Sequence, residues 1–107
     1  MAWAALIVAG LLEVVWAYAM KLSLGFTKPG PSAVTIVAMI ISFTLLSYAM
    51  KSLPLGTAYT IWTGIGAVGA FAVGVLVLHE PASVIRILAA CLVIGGLVLF
   101  RVAEARA

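Results

Sequence analysis

Apolar residues fall in four long runs, separated by short connectors that hold all four prolines and four of the nine charged residues. The runs cover about residues 2–20, 33–50, 55–78 and 84–100. At ~1.5 Å per residue, each is long enough to cross a hydrocarbon core of about 30 Å as a helix. The first run stops at Lys21 and the second at Lys51, while the fourth begins beside Arg86 and ends at Arg101. Pro31 and Pro54 stand where a proline fits the first turn of the next helix. The pattern predicts an all-α integral membrane protein, with residues 1–107 forming a single four-helix transmembrane domain. Four spans leave room only for short loops.

Polar residues inside these runs are few. Glu13 is the only charged residue of the first run and falls near its middle. A carboxylate at that depth costs at least ~2.5 kcal/mol unless it faces a wet cavity or a partner. On a helix, Leu6, Ala9, Gly10, Glu13, Trp16, Ala17 and Met20 share one face. Gly10 allows a close approach one turn before the acid. Trp16 offers an apolar wall or a cation-π surface one turn after it, or simply packs on a neighbouring helix.

In the second run Ser42 comes close to the depth of Glu13. It either bonds back to a carbonyl of its own helix or hydrogen-bonds the Glu13 carboxylate. Met39 and Phe43 flank Ser42 and are candidates for the wall or portal of a site, with lipid-facing bulk as the alternative. The third run opens with Thr57, Tyr59, Thr60, Trp62 and Thr63, then becomes rich in glycine and alanine. Tyr59, Trp62 and Gly66 share a face. Tyr59 and Trp62 lie too deep for interfacial anchors, so they are expected to line a site, with Thr63 a further candidate for its lining or portal. The fourth run carries only Cys91, Gly95 and Gly96 among branched residues. Its two glycines, Gly95 and Gly96, suit contact with another helix, here expected to belong to a second copy of the chain in a dimer.

Composition removes several other classes of function. The sequence contains no Asp, Asn or Gln, and its single Cys91 permits neither an internal disulfide nor a cysteine metal cluster. No cofactor or metal is expected. The net charge of +3 suits lipid headgroups better than nucleic acid. No basic segment precedes the first run, which Glu13 interrupts, so a cleavable signal peptide is not expected. Gly64-Ile65-Gly66-Ala67-Val68-Gly69 formally matches a dinucleotide fingerprint, but no strand precedes it and it lies inside an apolar span. With no nucleophile in view, enzymatic activity is not expected. His79 reads as an interfacial loop residue rather than a proton relay. Glu80 before Pro81 reads as the start of the fourth helix, where a carboxylate offsets the dipole.

The charge balance sets the topology expectation. One side of the membrane holds Lys51, Arg101 and Arg106, and the other holds Lys21, Lys28 and Arg86. Orientation follows the Lys/Arg bias, and here the two sides are equal. Both orientations are then allowed in one membrane. Two opposed copies would form an inverted-topology pair with a binding site at its midplane, where two Glu13 residues meet. Two carboxylates held away from water cannot comfortably both be charged and titrate as a coupled pair. Such a pair holds protons or a cation, which is enough to couple cation export to proton entry.

Glu13-Val14-Val15-Trp16-Ala17, Gly25-Phe26-Thr27, Pro54-Leu55-Gly56-Thr57-Ala58-Tyr59 and Ile61-Trp62-Thr63-Gly64-Ile65-Gly66-Ala67 resemble the small multidrug resistance family. Trp16 after the acid and the Trp-Thr-Gly-Ile-Gly-Ala run resemble its guanidinium-exporter subtype. The resemblance spans essentially the whole chain. It implies an antiparallel, dual-topology homodimer that exchanges protons for guanidinium across the inner membrane. It also implies that Glu13 binds substrate and protons in alternation. Trp16, Ser42, Tyr59 and Trp62 would surround and orient it, with Gly10 close-packed beside it. Thr60 and Arg101 depart from the family pattern, which more often has Ala and Lys there. Guanidinium, planar and rich in N–H donors, matches a carboxylate bidentately. The alternative is a polyspecific proton-coupled exporter of quaternary ammonium and lipophilic cations, which would lean on aromatic walls. A rotary-ring proton subunit also carries one midplane carboxylate, but four spans with deep aromatics argue against it.

Overall fold

The computed structural model describes residues 1–106, with side chains as far as Glu104. The Arg106 side chain counted in the charge balance lies outside the described residues. Four helices follow in order: α1 (Ala2–Leu22), α2 (Pro29–Ala49), α3 (Leu55–Leu76) and α4 (Val84–Arg106). All four are long and apolar enough to cross a membrane. α2 is longer than its apolar run, because Pro29 and Pro31 sit in its first turn, where a missing N–H costs nothing. The α1–α2 turn is closed by Ser23, which donates to the Met20 carbonyl (2.7 Å) and accepts from the Phe26 N–H (3.0 Å). Leu24, Gly25 and Phe26 there adopt positive φ.

α1 is the central element, packing on both α2 and α3, while the backbone of α4 packs on α3 alone. Lipid is as apolar as leucine, so helices gain little by hiding apolar surface and associate through close packing of small residues. The buried set of α2 is accordingly Thr35, Ala38, Ser42, Leu46 and Ala49, a stripe at three- and four-residue spacing against α1. The large apolar side chains point outward instead, among them Ile7, Leu11, Val15, Ile40 and Leu92. No residue of the membrane-length stretch of α4 is buried. The molecule is a flat slab of 45 × 35 × 16 Å.

The α3–α4 loop differs from expectation. α4 begins at Val84, and its end is capped by Ser83, whose Oγ accepts from the Arg86 N–H (3.3 Å). Glu80 lies outside that first turn. Its N–H donates to the Gly74 carbonyl (2.9 Å), so Glu80 closes the end of α3 rather than opening α4. His79, with φ of 57°, makes the reversal possible.

Candidate functional site

The face of α1 read from the sequence is the one turned inward. Leu6, Ala9 and Gly10 are buried, and Glu13, Trp16, Ala17 and Met20 are half-buried. Glu13 meets α3 at Gly66. A Cβ added to Gly66 would fall within the Glu13 carboxylate itself, so any side chain there would displace the acid from this position. The seam continues on either side. A Cβ on Gly10 would lie 2.8 Å from Ile65 Cβ, and one on Gly69 would collide with Val14. The glycines of the rejected dinucleotide pattern are therefore packing positions, and Gly64 likewise receives Leu97 of α4.

Glu13 Oε1 is shielded from solvent and has no hydrogen-bond partner, and the same holds for Trp16 Nε1 one turn later. A buried polar atom without a partner costs free energy that a bound ligand, a proton or a partner subunit can recover. One acceptor and one donor thus stand unused on the same face of α1.

Ser42 takes neither of its two expected partners. Its hydroxyl donates to the Ala9 carbonyl on α1 (2.7 Å) and accepts the Trp62 indole N–H from α3 (3.0 Å). One side chain of α2 thus ties together all three helices of the site. With its single proton given to Ala9, Ser42 has none for Glu13 in this conformation.

The aromatic residues form a chain across the same region. Trp16 meets Phe43 edge-on (centroids 6.3 Å apart, 74°), Phe43 meets Trp62 (5.6 Å, 61°), and Trp62 meets Tyr59 (5.7 Å, 46°). Edge-to-face pairs at these separations are favourable and hold the rings in place. Trp62 is buried, while Tyr59 is 53% and Phe43 46% exposed, so the chain ends on an open face. Met39 is half-buried and Thr63 exposed. Gly95 and Gly96 have nothing within 4 Å of an added Cβ, so packing within one chain does not use them.

Sequence reasoning left Gly66 out of the site. The signal was its four-residue spacing from Trp62, but only the register of α1 against α3 pairs it with Glu13.

Four membrane-spanning helices with one shielded acid, walled by aromatics and closed by glycine contacts, define a small multi-pass membrane protein built around an intramembrane carboxylate. The sequence profile of the Small Multidrug Resistance protein family matches residues 1–93, and the chain belongs to that family. Its similar relatives include a guanidinium exporter of Salmonella typhimurium strain LT2. The two are 56% identical over 98 residues, covering 92% of this chain and 93% of the relative. A guanidinium exporter of Citrobacter freundii is 54% identical over the same coverage. One from Yersinia pseudotuberculosis is 53% identical over 104 residues, covering 97% of this chain and all of the relative.

Proposed function

We propose that this protein exports guanidinium across the inner membrane in exchange for protons, by alternating access within an antiparallel, dual-topology homodimer. The observation that carries the proposal is the Glu13 carboxylate, shielded at Oε1, unpartnered, and pressed on Gly66. The guanidinium exporters related to this chain over more than nine-tenths of its length support the choice of substrate.

In this reading residues 1–107 form one transmembrane domain, and two copies of it bring their Glu13 carboxylates together. The thin slab supports the second copy, because four helices in a body 16 Å thick do not enclose a path across the bilayer. Gly95 and Gly96, open on α4, serve as the dimer contact. A deprotonated pair takes guanidinium through paired N–H···O bonds, and a protonated pair releases it. Trp16 supplies an indole N–H beside the acid. Ser42 and Trp62 hold the wall rigid, with Tyr59 at its rim. Gly10 keeps α1 close to α3. Met39, Phe43 and Thr63 lie at the lateral opening. The work is transport rather than catalysis, with no cofactor or metal.

The test is exchange in proteoliposomes. An inward proton gradient should drive accumulation of guanidinium in the opposite direction and leave tetraphenylphosphonium unmoved. The aromatic chain from Trp16 to Tyr59 is what would favour lipophilic cations instead. Faster exchange of tetraphenylphosphonium than of guanidinium would make the protein a polyspecific exporter.

A further inference from the structure

A second feature lies away from Glu13, at the end of the bundle where α1 and α3 start and α4 finishes. α1 and α4 both flank α3, and they meet at the outer end, where Arg101 of α4 lies over Trp3 of α1. Between them runs a groove of about 430 Å³, whose apolar walls are Ile7 of α1, Ile61 and Ile65 of α3, and Val98 of α4. At its outer end stand Trp3 and Arg101. Trp3 precedes Ile7, Ile61 precedes Ile65, and Arg101 follows Leu97, each by one turn. The groove therefore runs along the helix axes, from hydrocarbon depth to the interface.

The Arg101 guanidinium lies over the Trp3 ring, 4.6 Å from its centroid. A cation held over a ring by this attraction still has N–H donors to offer an oxyanion. The contact also fixes the side chain, so little freedom is lost when an anion binds. One turn beyond, Glu104 accepts the Thr57 hydroxyl (3.0 Å), which ties this end of α4 to α3 and fixes the width of the mouth. Arg86, at the opposite end of α4, differs: it is exposed and donates to the Pro81 carbonyl (2.9 Å).

We propose that this groove is a binding site for an anionic glycerophospholipid. One acyl chain lies along Ile65, Ile61 and Ile7, and the headgroup phosphate sits on Arg101 against Trp3. Charge complementarity selects the occupant. The walls face hydrocarbon, and among the described residues lining the groove the one cation is Arg101, at headgroup depth. A lysine would give the charge without the planar fork of donors, so Arg101 is the specific element. The site is independent of how Glu13 works.

The experiment is native mass spectrometry of the purified protein in mixed phosphatidylglycerol and phosphatidylcholine. The wild type, Arg101→Gln, Arg101→Lys, Arg86→Gln and Val98→Phe are compared at the same oligomeric mass. The wild type should retain phosphatidylglycerol with a roughly fivefold preference. Arg101→Gln should erase the preference, Arg101→Lys should keep only part of it, and Arg86→Gln should leave it intact. Val98→Phe, which fills the groove, should lower retention of both lipids. Equal losses in Arg101→Gln and Arg86→Gln would overturn the proposal as generic surface charge. Unchanged retention in Val98→Phe would overturn it too. So would disulfide crosslinking between copies through a cysteine at Val98, because a second chain would then cover the groove.

Discussion

Glu13 on α1 and Gly66 on α3 share one contact: the carboxylate occupies the space in which any side chain at Gly66 would begin. The position of the acid is thus set by the absence of a side chain on another helix. Gly66→Ala should push the carboxylate out of its seat and lower guanidinium exchange by tenfold or more, on the order of the loss expected from a ~1 Å misplacement. The protein should still reach the membrane as a dimer. Exchange rates in proteoliposomes matched for protein content check this, and a wild-type rate would mean that the seat does not matter.

Ser42 joins Ala9 of α1 to Trp62 of α3. Ser42→Ala should leave the Trp62 N–H unpaired and lower stability by roughly 1 kcal/mol, between the average for membrane hydrogen bonds and the cost of a buried orphan donor. Trp62→Phe removes the donor along with its need, so the pair should be non-additive. Thermal unfolding of the two single variants and the double variant in detergent gives the coupling. Strict additivity would show that the bond contributes nothing.

The helices and the face of α1 were legible in the sequence because each rests on a local pattern: an apolar run of bilayer length, or a three- and four-residue spacing. Ser42 was legible as a polar residue at the right depth, but its partner was not. The acceptor is the backbone carbonyl of Ala9, a group that every residue carries and no pattern marks. Glu80 was misread for a related reason. Acid before proline signals a helix start, but the left-handed backbone of His79 folds the loop back onto α3, and Ser83 takes the cap. The pairing of Glu13 with Gly66 needed the register between two helices, which neither helix specifies alone.

Equal Lys/Arg counts on the two sides predict dual topology. With Cys91 replaced by Ala, a cysteine placed in the α2–α3 loop should label comparably from both faces of the membrane. A single orientation above roughly 90% would end the antiparallel account. Two or three added lysines in that loop should bias insertion and lower exchange, and a copy biased the other way should restore it.

Gly96 has open space around it within one chain. Gly96→Val should therefore leave the fold of the single chain intact and weaken the dimer, read as a shift to monomer in detergent. Unchanged dimerisation would put the contact elsewhere on the slab.

Competition between protons and guanidinium for Glu13 is the central claim. Lower pH protonates the carboxylates and removes the charge that holds the cation, so wild-type affinity should fall as pH drops. Glu13→Gln keeps the shape and loses both charge and titration. The decisive measurement is guanidinium binding to purified wild type and Glu13→Gln across about pH 6 to 9, the range in which an acid–base group works at physiological pH. The account predicts wild-type binding that strengthens toward the alkaline end and no measurable binding to Glu13→Gln at any pH. Near-normal, pH-independent affinity in Glu13→Gln would contradict it.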